Sequence, residues 1–104
     1  MTRTEELFHE IAESLPEAKK SKMFGAICVK APNGKAAFMA WKDNLVFKLE
    51  GEAQNEALSL DGCEVFRPMP ERPPMGGWIR VPVDYENKWP ELAAKSLAYV
   101  KTLK

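Results

Sequence analysis

The chain has no excess of either charge: fifteen Lys and Arg side chains are cancelled by fifteen Asp and Glu. Proteins that hold nucleic acid mainly through its phosphates carry a basic surplus. Such a role would therefore need a local patch, and nothing in the total draws the chain to an anionic membrane. Histidine is nearly absent, with His9 alone. Cysteine is scarce too. Cys28 and Cys63 are far apart, lie in apolar strand-like patterns and form no Cys-x-x-Cys motif. They read as two reduced, buried thiols rather than a redox pair or disulfide. No apolar run approaches the roughly 20 residues of a membrane span. The first residues, Met1 to Glu6, are polar and lack the apolar core of a signal peptide. A cytoplasmic protein with no membrane partner is the expectation.

Catalytic patterns are missing as well. Ser14, Ser21, Ser59 and Ser96 have no Gly-x-Ser-x-Gly context. Gly76-Gly77 precedes a strand rather than a helix and matches neither phosphate-loop motif. His9 sits among Glu5, Glu6, Glu10 and Glu13, a pattern that marks a polar helix face rather than a general base. Pairing it with Glu5 or Glu13 would give only a two-point metal site. The sequence thus predicts no enzyme, no cofactor and no metal.

What is present is an ordinary globular composition, 45% apolar with ten large aromatics in 104 residues, enough for one domain over 1–104. Leu7, Phe8, Ile11 and Leu15 recur at helical spacing after a cap at Thr2 or Thr4, and Pro16 ends that helix. Residues 17–22 read as a charged, solvated connector. A strand from Met23 to Lys30 follows, with Phe24, Ala26 and Cys28 on one face and Met23, Ile27 and Val29 on the other. Asn33-Gly34 signals a type I′ hairpin into a strand from Lys35 to Trp41, and Asp43-Asn44 a second tight turn. In Leu45 to Leu49 the alternation points Leu45, Phe47 and Leu49 inward, Val46 and Lys48 outward. A short helix from Glu52 to Leu60 stops at Asp61-Gly62. Strands over 63–66 and 78–83 come next, and a last helix opens at Trp89-Pro90. The order is α-β-β-β-α-β-β-α. It predicts an α+β, two-layer sandwich with an antiparallel five-stranded sheet and helices packed on it.

The segment from Phe66 to Pro82 holds five of the eight prolines and two of the six glycines. A long loop in a compact domain usually serves a purpose. Arg67, Met69, Arg72, Met75, Trp78 and Arg80 are its candidate ligand- or partner-binding residues. Their chemistry suits a protein partner best, since exposed methionines are adaptable contact residues. A small-molecule or anion site between loop 67–77 and the sheet is the alternative, with Gly76-Gly77 as a backbone nest. Single-stranded nucleic acid stacked on Trp78 and Phe66 is disfavoured by Glu64, Glu71 and Asp84 nearby. Open strand edges admit a homodimer.

Taken in order, several short pieces resemble one family. They are Met23-Phe24-Gly25, Asn33-Gly34-Lys35, Leu45 to Leu49, Phe66 to Pro70, Gly77-Trp78, Val81-Pro82 and Trp89. From about Ser21 to Leu103 the chain resembles the TfoX N-terminal domain family, which is similar to the small YjbR-like proteins. The resemblance implies the order α-β3-α-β2-α, in keeping with the pattern above, and little chemistry. It also implies a regulatory association, since longer relatives are linked to natural competence. Those relatives carry a second, helical domain that this chain, ending at Lys104, is expected to lack.

Overall fold

A computed structural model describes residues 3–23, 26–66 and 77–103. Among the described residues the fold is α+β: three α-helices and an antiparallel sheet. The elements run α1 (Arg3–Ser14), β1 (Lys19–Met23), β2 (Ala26–Lys30), β3 (Ala36–Trp41), β4 (Asn44–Lys48), α2 (Glu52–Ser59), β5 (Glu64–Val65), β6 (Trp78–Pro82), a 3-10 turn (Val83–Lys88) and α3 (Trp89–Val100). The sheet order is β1-β2-β3-β4-β6-β5, so β6 inserts between β4 and β5 after the α2 crossover.

The sheet has six strands where the pattern predicted five, and the order gains a strand after α1. The extra one comes from residues 17–22, expected as a connector. Lys19–Met23 pairs with Ala26–Lys30, with Lys20 opposite Val29 and Lys22 opposite Ile27. Lysines obscure this strand because an edge needs only one neighbour and tolerates charge on both sides. The long strand expected over Met23–Lys30 is thus a hairpin. Phe24 and Gly25, between β1 and β2 in the sequence, lie outside the described residues.

Two turns also differ from expectation. Between β2 and β3 only Gly34 takes a positive φ, +84°, so the loop is not type I′. Ala31 N–H donates to Lys35 C=O at 2.8 Å, and Gly34 N–H donates to Ala31 C=O at 2.9 Å. Pro32-Asn33-Gly34 is therefore a three-residue loop ending on a left-handed glycine, the next commonest hairpin class. It leaves Asn33 free for another task. Its Nδ2 donates to the carbonyls of Val100 at 2.8 Å and Leu103 at 2.9 Å, satisfying the C-terminal end of α3. The next turn centres on Lys42-Asp43, one residue earlier than read, and Lys42 itself is left-handed at φ 55°. Nor does Thr4 cap α1: it is buried within the helix, and Thr2 lies outside the described residues.

The helices pack on one face. α1 and α3 lie against β3 and β4, and α2 against β6. Phe8, Ile11, Phe38, Leu45, Phe47, Ile79, Val81, Trp89, Leu92 and Leu97 fill the space between. Phe38 and Phe47 are cross-strand partners with ring centroids 5.7 Å apart, and Phe8 meets Phe38 edge-on at 5.6 Å. Aromatic contacts of this geometry add about 0.5–1.5 kcal/mol beyond burial. The indole N–H of buried Trp89 donates to Val81 C=O at 3.3 Å, fastening the start of α3 to β6.

Candidate interaction face

Period-two alternation sends the other half of each strand to the opposite side of the sheet. That side should be polar if only one face is packed. Instead Cys28, Met39, Val46, Phe66 and Trp78 form a second buried cluster there, with Ala36 and Trp41 half-buried beside it. Val46, read as outward and solvated, is fully buried. The strand pattern gave the correct face for Val46 but could not show that this face also excludes water.

Of the six candidate residues, Trp78 and Arg80 stand two apart on β6 and share this face. Arg67, Met69, Arg72 and Met75 lie outside the described residues. The ends of that segment are fixed, however. Phe66 N–H donates to Trp78 C=O at 2.7 Å, and Leu49 N–H donates to Gly77 C=O at 2.8 Å. Gly77 is required where it stands. Its φ is +85°, and a Cβ there would approach Lys48 Nζ to 2.9 Å.

Lys48 is the residue that sequence reasoning undervalued. Paired with Trp78 across β4 and β6, it sets its ammonium 5.6 Å from the indole centroid. That lies within the range of a cation–π contact. The signal lay in the strand alternation, which put Lys48 on the outward side, but the pairing of β4 with β6 was not legible. Trp41 is half-buried and meets Phe66 edge-on at 5.2 Å. Trp41 and Phe66 therefore brace one another.

Arg80 is committed inside the molecule. Its guanidinium donates to Asn44 Oδ1 at 3.1 Å, Glu64 Oε1 at 3.0 Å and Gly62 C=O at 3.5 Å. A guanidinium with its donors shared this way braces the edge of the patch and is a poor free hook for an anion.

Neither cysteine is activated toward its thiolate. Burial pushes the Cys28 thiol up from its ordinary range, with nearby Lys30 opposing. Cys63, half-buried rather than buried as read, is raised by burial too, against the pull of Arg80. Both cysteines are free, and both stay protonated at neutral pH, where a thiol is weakly reactive. His9 is on α1, in the helical layer, with its ring 5.5 Å from Phe8. Among the described residues, no three His, Cys, Asp or Glu side chains converge to hold a metal. None of their helices is long and apolar enough to cross a membrane.

On the helical side a cleft between α2 and α3 is lined by Glu56, Leu60, Lys88, Glu91 and Lys95. It encloses about 70 Å³. Metabolite sites usually offer roughly 300–1,000 Å³. Lys95, reaching Glu56 at 3.4 Å and Glu91 at 3.6 Å, ties its two walls together. Comparison with protein-family models, with curated proteins and with solved structures finds no match for this chain.

Proposed function

We propose that this chain is a non-enzymatic, regulatory protein-interaction domain of the TfoX N-terminal type. It works from the sheet face opposite the described helices, with Arg67, Met69, Arg72 and Met75 in the sequence between Phe66 and Gly77. A cytoplasmic site of action and a protein partner belong to this reading, and a second copy of the chain is one admissible partner.

The observation that carries it is the company kept by Trp41, Phe66 and Trp78. They surround a buried apolar patch bordered by Lys48 and Arg80, on the side of the sheet away from the helices. Rigid aromatics with an arginine at a water-excluded centre are the composition of interface anchors. The protonated thiols of Cys28 and Cys63 support recognition over catalysis. The sheet's extra strand departs from the order that the resemblance implies, and the family assignment is supported only by where three motif pieces fall. Asn33-Gly34-Lys35 turns a hairpin, Gly77-Trp78 begins β6, and Trp89 begins α3.

The test is affinity purification from host cells of three tagged forms with matched circular dichroism. They are the wild type, a Trp41→Ala/Lys48→Glu variant of this face, and Glu91→Lys on the helical layer. A protein recovered by the first and third and lost from the second is the expected result. A partner retained by the face variant, or lost equally from both variants, overturns the reading. Thermal-shift screening of metabolites on the wild type covers the alternative: a ligand-dependent rise in Tm would favour a small-molecule or anion-binding domain.

A further inference from the structure

The neutral total conceals a segregation of charge along the sheet. Residues 18–42 contain six lysines and no acid, whereas residues 50–64 contain five acids and no Lys or Arg. The strand order carries this to opposite ends. β1 is one edge and β5 is the other, with α2 packed on the neighbouring β6.

At the basic edge the geometry is specific. Among the described residues β1 pairs only with β2, so one row of its backbone N–H and C=O groups has no strand partner. Lys19, Lys20 and Lys22 are all exposed. Their cross-strand neighbours assign them to both sides of the strand. Lys20 and Lys22, opposite Val29 and Ile27, belong to the helix-covered side, and Lys19, opposite Lys30, to the other. Lys20 reaches Glu13 at 3.3 Å, while Lys19, Lys22 and Lys30 have no ion pair among the described residues. Like charges directly opposite destabilise a ladder, so Lys19 and Lys30 await a counter-charge.

We infer that the β1 edge is the docking site for an extended, acidic segment of a partner protein, added as a further strand beside Lys19–Lys22. Backbone hydrogen bonds of the open edge supply affinity, and lysines straddling it select carboxylates on either side of the incoming strand. The same lysines repel a second β1, so the edge refuses its own copy while accepting an acidic strand. Nucleic acid fits less well. A phosphate-tracking surface gathers its lysines on one face beside aromatic platforms. Here they divide between two faces, and no described residue of β1 or β2 is aromatic.

Fluorescence anisotropy with a labelled Glu-Glu-Val-Glu-Glu-Val peptide, which as a strand carries carboxylates on both sides, tests this on the full chain. Saturable binding at low salt is expected, weakened about tenfold or more at high salt and by Lys19→Glu/Lys22→Glu. Amide exchange of residues 19–23 should slow when the peptide is added. If the double reversal unfolds the chain, Lys19→Gln/Lys22→Gln should weaken binding in the same direction. Four results each overturn the proposal: no peptide binding, binding indifferent to both variants, a single-stranded oligonucleotide of equal charge binding more tightly, or sedimentation showing self-association that depends on these lysines.

Discussion

Side chains of the same kind are buried on the two faces of the sheet, but in different company. Under the helices, Phe38, Leu45, Phe47 and Ile79 meet apolar side chains of α1, α2 and α3. On the other face, Cys28, Met39, Val46, Phe66 and Trp78 reach similar burial beside long amphipathic and polar neighbours, with Lys48 over Trp78 and Arg80 held by Asn44 and Glu64. Long charged side chains can cover apolar area with their stems while keeping their heads wet. The contrast teaches that burial alone does not identify the core. One face is closed by the described helices, whereas the other carries Lys48 and Arg80 at its border.

The comparison breaks if the two faces respond alike to truncation. Phe47→Ala, under the helices, is expected to cost about 3–5 kcal/mol, since its neighbours on the sheet and the helices cannot collapse into the hole. Val46→Ala, the adjacent residue on the opposite face, should cost only about 1–3 kcal/mol. Urea denaturation of both variants checks this, and equal losses would make the second cluster a true second core. Asn33→Ala comes next. It removes the two hydrogen bonds from the β2–β3 turn to the last carbonyls of α3. A loss of about 1–2 kcal/mol is expected, with faster amide exchange in the last turn of α3. Lys48→Met keeps the stem over Trp78 but removes the charge. It should cost about 0.5–1 kcal/mol, the size of an exposed cation–π contact, and a shift in tryptophan fluorescence should accompany it.

How much of this was legible in the sequence follows from the physics of each signal. Phe8 and Ile11, and the alternation of Leu45 and Phe47, marked the helix-covered face correctly, because burial on one side writes a period. Trp89-Pro90 marked the start of α3 because proline fits only the first turn. β1 was missed because an edge strand made of Lys-Lys-Ser-Lys carries no apolar period. Asn33-Gly34 announced a turn but not its class, since Pro32 preceding it extended the loop to three residues. In the candidate site, Trp78 and Arg80 were found from composition, but Lys48, Trp41 and Asn44 join them only through the β3–β4–β6 pairing. That pairing depends on contacts distant in sequence, which no local pattern encodes.

Alkaline titration gives the smallest effect and the finest test of the comparison, because each face holds acids raised by burial. Cys28 lies on the face opposite the described helices, raised above its ordinary 9.0. On the helical side Tyr85 is raised above 10.0, first by burial and then by the charges of Cys63, Asp61 and Asp84. Its hydroxyl donates to Asp61 C=O at 2.6 Å, a bond that ionisation abolishes. In both cases the folded chain keeps a proton that the unfolded chain has begun to release. Stability is therefore full below the unfolded values and declines as pH rises through the folded ones. The loss should begin above pH 9 from Cys28 and Cys63 and above pH 10 from Tyr85 and Tyr99. Cys28→Ala is expected to flatten only the earlier part of the decline and Tyr85→Phe only the later part, read as Tm against pH. If Cys28→Ala left the earlier limb unchanged, the thiol would be titrating as it does in water, and its face would be wetter than its packing indicates.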